Sequence, residues 1–294
     1  MGINFLNLDF SKTLIIILLT VVPSLLLLTL ILYSDRKSRE PVLMLLICAF
    51  SGAFTICLSL IIDKLILKSH LIGGNLFTDS NTYSIYRIMI LAGVEEYVKL
   101  LVLYLFLYRN KAFDEIFDGF VYSSIIALSF SLVETILYVI NEATYNDMTS
   151  LAILRNFTAI PLHVTCGITM GYFVSLEKFA KSKTKELINM ILALMIPTLI
   201  HTVYNVFFSI VSFSNNSGSS ILVIILFILS VYFIGIMFIM RTTALNKIFI
   251  SNGFFPKKYN YLMRRNEFVY KESGNIYGAW CLLQKYIWNR FQKH

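Results

Sequence analysis

Residues 220–240 read SILVIILFILSVYFIGIMFIM, a run without one charged side chain. About 20 helical residues of this kind cross the ~30 Å hydrocarbon core of a bilayer. In lipid every backbone N–H and C=O must find its partner inside the protein, so such a run reads as a helix. Six further stretches, at approximately 13–33, 41–67, 83–108, 118–140, 151–175 and 187–210, invite the same reading. The chain is therefore expected to be all-α, a polytopic integral membrane protein of about seven transmembrane helices. The first stretch is too long for a cleaved signal peptide, and no small-residue cleavage site follows it. It is read as a permanent span.

Composition agrees. The 294 residues are 57% hydrophobic and only 14% charged, against about 25% charged in a soluble domain. This excludes a soluble globular protein, a disordered chain and a disulfide-stapled secreted module. The formal charge of +8 has one address. Residues 241–294 carry 10 Lys/Arg and 2 Asp/Glu, whereas residues 1–240 carry 15 of each sign. The basic residues are interleaved with Phe254, Phe255, Tyr259, Tyr261, Trp280 and Trp288. A basic, aromatic tail beside a membrane points to anionic lipid headgroups and not to nucleic acid. Cys48, Cys57, Cys166 and Cys281 form no CxxC pair and read as free thiols used in packing.

Charge also orients the spans. Loop 34–40 holds Arg36, Lys37 and Arg39, loop 109–117 holds Arg109 and Lys111, and loop 176–186 holds four lysines. Loops 141–150 and 211–219 hold no Lys or Arg, and 68–82 holds only Lys68. Positive loops stay cytoplasmic, so the N-terminus is expected outside and the tail 241–294 inside. The membrane domain is expected over 1–240. No inverted repeat of the transporter kind is visible.

Ionisable side chains inside a span are expensive and mark function by default. They gather in four consecutive spans: Glu95, Glu96 and Lys99; Asp118 and Glu134; Arg155 and His163; His201 with Asn205. At ~1.5 Å per residue, Glu95, Glu96 and His163 lie roughly 18 Å, His201 roughly 14 Å and Glu134 roughly 9 Å below the outer face. One cavity opening outward can hold them all. His201 and Asn205 share a helix face by their i, i+4 spacing, as do Glu95 and Lys99, and Glu134 and Tyr138. Tyr138 is placed to hydrogen-bond Glu134. Two His and a Glu from separate helices suit Zn²⁺ with a position left for water. A spare carboxylate can then serve as general base. Without metal, the same groups can activate water and stabilise an oxyanion. Lys99 and Arg155 read as counter-charges, and Asp118 as a helix cap.

The segments VEEYVKL (94–100) and FDEIFDGFVYSSIIALSFSLVETILYV (113–139) resemble the PrsW family of intramembrane proteases. There a Glu-Glu-x-x-Lys helix precedes Asp-Gly-x-x-Tyr, matched by Asp118, Gly119 and Tyr122, and then an aromatic stretch ending in Glu, matched by Phe130 and Glu134. PLHVTCGITMGYF (161–173) resembles the family's His-bearing helix through His163 and Gly171. LIHTVYNVFF (199–208) resembles its His-x-x-x-Asn helix through His201 and Asn205. The resemblance covers residues 83–210 in order. It departs at Thr135, where Asn is expected after the Glu. The motifs are also similar to those of the wider superfamily of CAAX prenyl proteases and abortive-infection proteins.

The resemblance implies hydrolysis of a peptide bond in a membrane protein substrate, such as an anti-sigma factor, in a multi-pass protein of a bacterial cell membrane. On it, the catalytic core is residues 83–210. Glu95 is expected to activate water, with Glu96 supporting it or exchanging roles. Glu134, His163 and His201 are expected to hold Zn²⁺, and Asn205, with His201, to hold the oxyanion. A metal-free glutamate mechanism is the alternative chemistry. Two other functions fit the same residues: a proton-coupled transporter using the Glu/His set as a relay, and a non-catalytic membrane chaperone or immunity partner of the same fold.

Overall fold

Wherever the chain is apolar over a span's length it is helical in the computed structural model, which describes residues 10–35, 38–68, 80–142, 145–212 and 217–251. The helices are α1 (Phe10–Ser34), α2 (Val42–Lys68), α3 (Ser80–Val102, continued by a π-helical turn Leu103–Tyr108), α4 (Ile116–Ile140), α5 (Tyr145–Phe157), α6 (Ala159–Lys178), α7 (Lys183–Ser212) and α8 (Ser217–Ser251). No strand occurs among the described residues. Six segments are long and apolar enough to cross a membrane: Leu14–Ser34, Val42–Ile66, Ile116–Ile140, Asp147–Lys178, Lys183–Ile210 and Leu222–Ile250. The remaining expected span, α3, has the length but carries Arg87, Glu95, Glu96 and Lys99. It is the helix that brings most charge to the site. Residues 241–251 of the tail expected to meet headgroups continue α8, and the rest of that tail, with Cys281, lies outside the described residues.

The fifth expected span, 151–175, is not one helix. It breaks at Thr158 into α5 and α6, and Pro161 is the physical reason. Proline has no N–H and its ring crowds the carbonyl four residues back, here that of Phe157. The Tyr232 hydroxyl of α8 donates to this freed carbonyl at 3.0 Å. The same device recurs in α1. Pro23 leaves the Leu19 carbonyl without a helical donor, and the Asn156 side-chain amide of α5 donates to it at 2.6 Å.

At the centre stand α4 and α6. Every residue of α6 from Ala159 to Tyr172 is buried, so its apolar residues face neighbours all round. Small residues let the two backbones approach. A Cβ at Gly167 would lie 2.7 Å from Cβ of Ala127, and one at Gly171 would lie 2.5 Å from the Gly119 carbonyl carbon. Gly167-x-x-x-Gly171 therefore packs against the Gly119, Ser123 and Ala127 stripe of α4, as small-residue motifs do in membranes. The Ser123 hydroxyl donates across this contact to the Gly167 carbonyl at 2.7 Å. Around the pair, α7 packs on α6, α2 on α4, α3 between α2 and α7, and α1 on α4 and α5. Outward faces are apolar, with Leu26, Leu30, Phe50, Phe54, Leu199, Leu226 and Phe233 all exposed. Without a bilayer this surface would drive aggregation.

Candidate active site

The polar side chains converge where α3, α4, α5, α6 and α7 meet. Glu96, one turn before Lys99, is fully buried and is the hub. Its Oε1 accepts from Lys99 Nζ at 2.8 Å and from His201 Nδ1 at 3.0 Å, and lies 3.8 Å from His163 Nδ1. Lys99 Nζ also lies 3.0 Å from His163 Nδ1 and 3.9 Å above the Phe130 ring. On the far side of that imidazole, His163 Nε2 lies 3.0 Å from Glu134 Oε2. The two imidazoles meet edge to face, with centroids 4.7 Å apart.

Glu134 is held from α5. Arg155 donates to its Oε2 at 2.5 Å and, through Nε, to the Thr135 hydroxyl at 3.1 Å. Thr135 thus does local hydrogen-bond duty at the position where Asn was expected. Tyr138, expected to bond Glu134, is exposed and instead offers its ring to the Arg155 guanidinium at 4.3 Å. Exposure rises in this direction: Glu134 and Arg155 retain 10% and 13% of their side-chain surface and Glu95 15%, against 0% for Glu96. The site is therefore sealed at Glu96 and opens past Glu95, Glu134 and Arg155.

Glu95 Oε2 is itself buried and makes no hydrogen bond among the described residues. It lies 3.9 Å from His201 Nε2. Glu95, His163 and His201 form a group that can hold a metal ion, since one ligand atom from each lies within 4.8 Å of the others. Tetrahedral ligands about 2.1 Å from a zinc stand roughly 3.4 Å apart. The set fits zinc after a contraction of up to about 1.4 Å. The expected ligand set had Glu134 where the structure groups Glu95; Glu134 is engaged by Arg155 and His163.

Two expected residues make no hydrogen bond to the hub among the described residues. Asn205 is one turn beyond His201 on α7 and half-buried. Asp118 lies 16 residues from Glu134 on α4, about 24 Å along the axis. There its Oδ2 accepts the backbone N–H groups of Asp114 and Glu115, both at 2.7 Å, in a capping box with Glu115. The same end holds the Tyr122 hydroxyl, which donates to Glu40, and Asn246, whose Oδ1 accepts the Ile116 N–H at 3.1 Å. Asp118 and Tyr122 are therefore framework residues, and Gly119 and Gly171 are packing residues.

One residue near the site was missed in the sequence. Asp63 of α2 has a buried Oδ1 without a hydrogen bond among the described residues and lies within electrostatic reach of Glu95 and Tyr138. A charge inside the run LIIDKLI was the available signal.

The chain matches the family described as PrsW family intramembrane metalloprotease over residues 40–239. Among curated proteins it is 35% identical over 191 residues to Protease PrsW of Clostridioides difficile (strain 630), covering 64% of this chain and 76% of that one. It is 27% identical over 187 residues to Protease PrsW of Bacillus subtilis (strain 168), covering 63% and 78%. The Protease PrsW of Oceanobacillus iheyensis is 29% identical over 185 residues, covering 63% and 79%. No solved structure matches the chain.

Proposed function

This chain belongs to the PrsW family of intramembrane metalloproteases, and we propose from its site how it cleaves a membrane protein and on which side. The observation that carries the reading is the approach of Glu95, His163 and His201 within 4.8 Å inside a helical bundle. These three would hold the metal, proposed as zinc, which when bound supplies a Lewis acid and lowers the pKa of its water. The protein does the rest. Glu96 takes the Nδ1–H of His201 and so keeps Nε2 bare toward Glu95, the role of an orienting carboxylate. Only one Glu95 oxygen is needed as ligand, and the other accepts the proton of the attacking water. The water oxygen bonds to the scissile carbonyl carbon, and the C–N bond breaks as Glu95 returns the proton to the leaving amine. The Asn205 amide, one turn beyond His201, donates to the developing oxyanion.

The positive loops support an orientation in which the open end of the site meets the outer face. The substrate is then a membrane protein cut near its outer side, the class in which single-pass anti-sigma factors fall. The charge and aromatic residues of 241–294 suit attraction to anionic headgroups on the cytoplasmic side.

The test is cleavage of a co-expressed single-pass reporter. Glu95→Gln and His201→Ala are each expected to lower cleavage by about 10²–10⁴-fold while the variants still insert. Unchanged cleavage by both variants refutes the assignment. A chelator that strips the wild type and leaves cleavage intact refutes the metal.

A further inference from the structure

The hydrogen bonds of His163 leave it no lone pair for a metal. An ionised carboxylate only accepts and an ammonium only donates. Nε2, 3.0 Å from Glu134, therefore carries the ring hydrogen, and Arg155 at 2.5 Å holds the Glu134 carboxylate in place. Nδ1, 3.0 Å from Lys99 Nζ, therefore spends its lone pair on the ammonium. His201 is in the opposite condition, because its Nδ1–H points to Glu96 and its Nε2 stays bare. Of the three ligands, Glu95 and His201 are ready and His163 is capped.

We propose that Lys99 gates metal loading: its ammonium and a divalent cation compete for Nδ1 of His163. The inference rests on the metalloprotease reading and deepens it. Two like charges a few ångströms apart in a buried site repel strongly, so both cannot hold one nitrogen. Lys99 has somewhere else to rest. It gives up one of three contacts and keeps Glu96 Oε1 at 2.8 Å and the Phe130 face at 3.9 Å. With metal absent, the same ammonium keeps the imidazole aligned and offsets the buried Glu96 charge. Lys99 is thus a positioning residue that acts through His163.

Zinc affinity by chelator competition on the full-length protein in detergent tests this as a double-mutant cycle. Lys99→Met is expected to tighten zinc binding by about tenfold, the worth of one charge-assisted hydrogen bond. In a His163→Ala background the same change is expected to shift affinity by no more than about twofold. Equal gains in both backgrounds mean that the lysine acts by charge alone, and no gain in the first means no cap; either overturns the gate and leaves the cleavage reading standing. Zinc binding by none of the proteins, wild type included, overturns both. A second readout needs no variant. The chain has 4 histidines, so imidazole nitrogen NMR of histidine-labelled wild type resolves each tautomer. Metal-free His163 is expected with hydrogen on Nε2 and to lose its Nδ1 signature as zinc is added. Hydrogen on Nδ1 in the metal-free protein overturns the cap.

Discussion

Glu96 does not face the opening, yet three of the site's groups are positioned by its one carboxylate oxygen: Lys99, His201 and, at 3.8 Å, His163. A buried carboxylate with such partners is costly to lose, because each partner is left with an unmet charge or donor. Glu96→Gln keeps the volume but removes the charge that fixes the His201 tautomer. Metal affinity is expected to fall by about 10- to 100-fold, the usual effect of removing a carboxylate behind a ligating histidine. Isothermal titration with zinc checks this, and affinity equal to wild type would show that Glu96 is not an orienter. Adjacent residues of one helix thus have opposite duties. Glu95 keeps 15% of its side-chain surface and Glu96 none, which the run VEEYVK does not distinguish.

At the scale of the helix, spans were legible because hydropathy over a bilayer's length has no other use. The break at Thr158 was not, because a window of that length averages Pro161 into its apolar neighbours. The members of the site were legible too, since Glu95, Glu96, Glu134, His163 and His201 are polar where polarity is expensive. Their partners were not. Whether Glu134 pairs with Tyr138 or with Arg155 depends on α5 ending where it does, and a linear chain carries that only through tertiary packing. The α4–α6 contact makes a prediction of its own. Gly171→Ala puts a methyl group against the Gly119 carbonyl and is expected to destabilise the fold by about 1–3 kcal/mol. Unfolding in mixed detergent measures this. The same change at Gly93, where an added Cβ meets only Thr198 Cγ2 at 3.6 Å, is the matched control and is expected to be near neutral.

Within residues 10–248, exposed apolar side chains surround a polar cluster that is fully buried at Glu96 and gains exposure toward Arg155. Which face of the membrane that opening meets rests on loop charge. Cysteine labelling of a variant with its own cysteines replaced tests it. Asn141→Cys, at the end of α4 near Glu134, is expected to react with an impermeant maleimide in intact cells. Ser182→Cys, at the start of α7, is expected to react only after permeabilisation. The reverse pattern would turn the site to the cytoplasm and exclude cleavage on the outer side.

The two prolines have a consequence for descent. Each hands a backbone acceptor to a side chain far away in sequence: Leu19 to Asn156, and Phe157 to Tyr232. If Pro23 were replaced by a residue with an N–H, α1 would satisfy Leu19 itself and Asn156 would lose its acceptor. Neither half of such a pair is worth keeping without the other. Among relatives of this chain, Pro23 and Asn156 should be gained and lost together, and so should Pro161 and Tyr232. The two couples join α1 to α5 and α8 to the kink above His163.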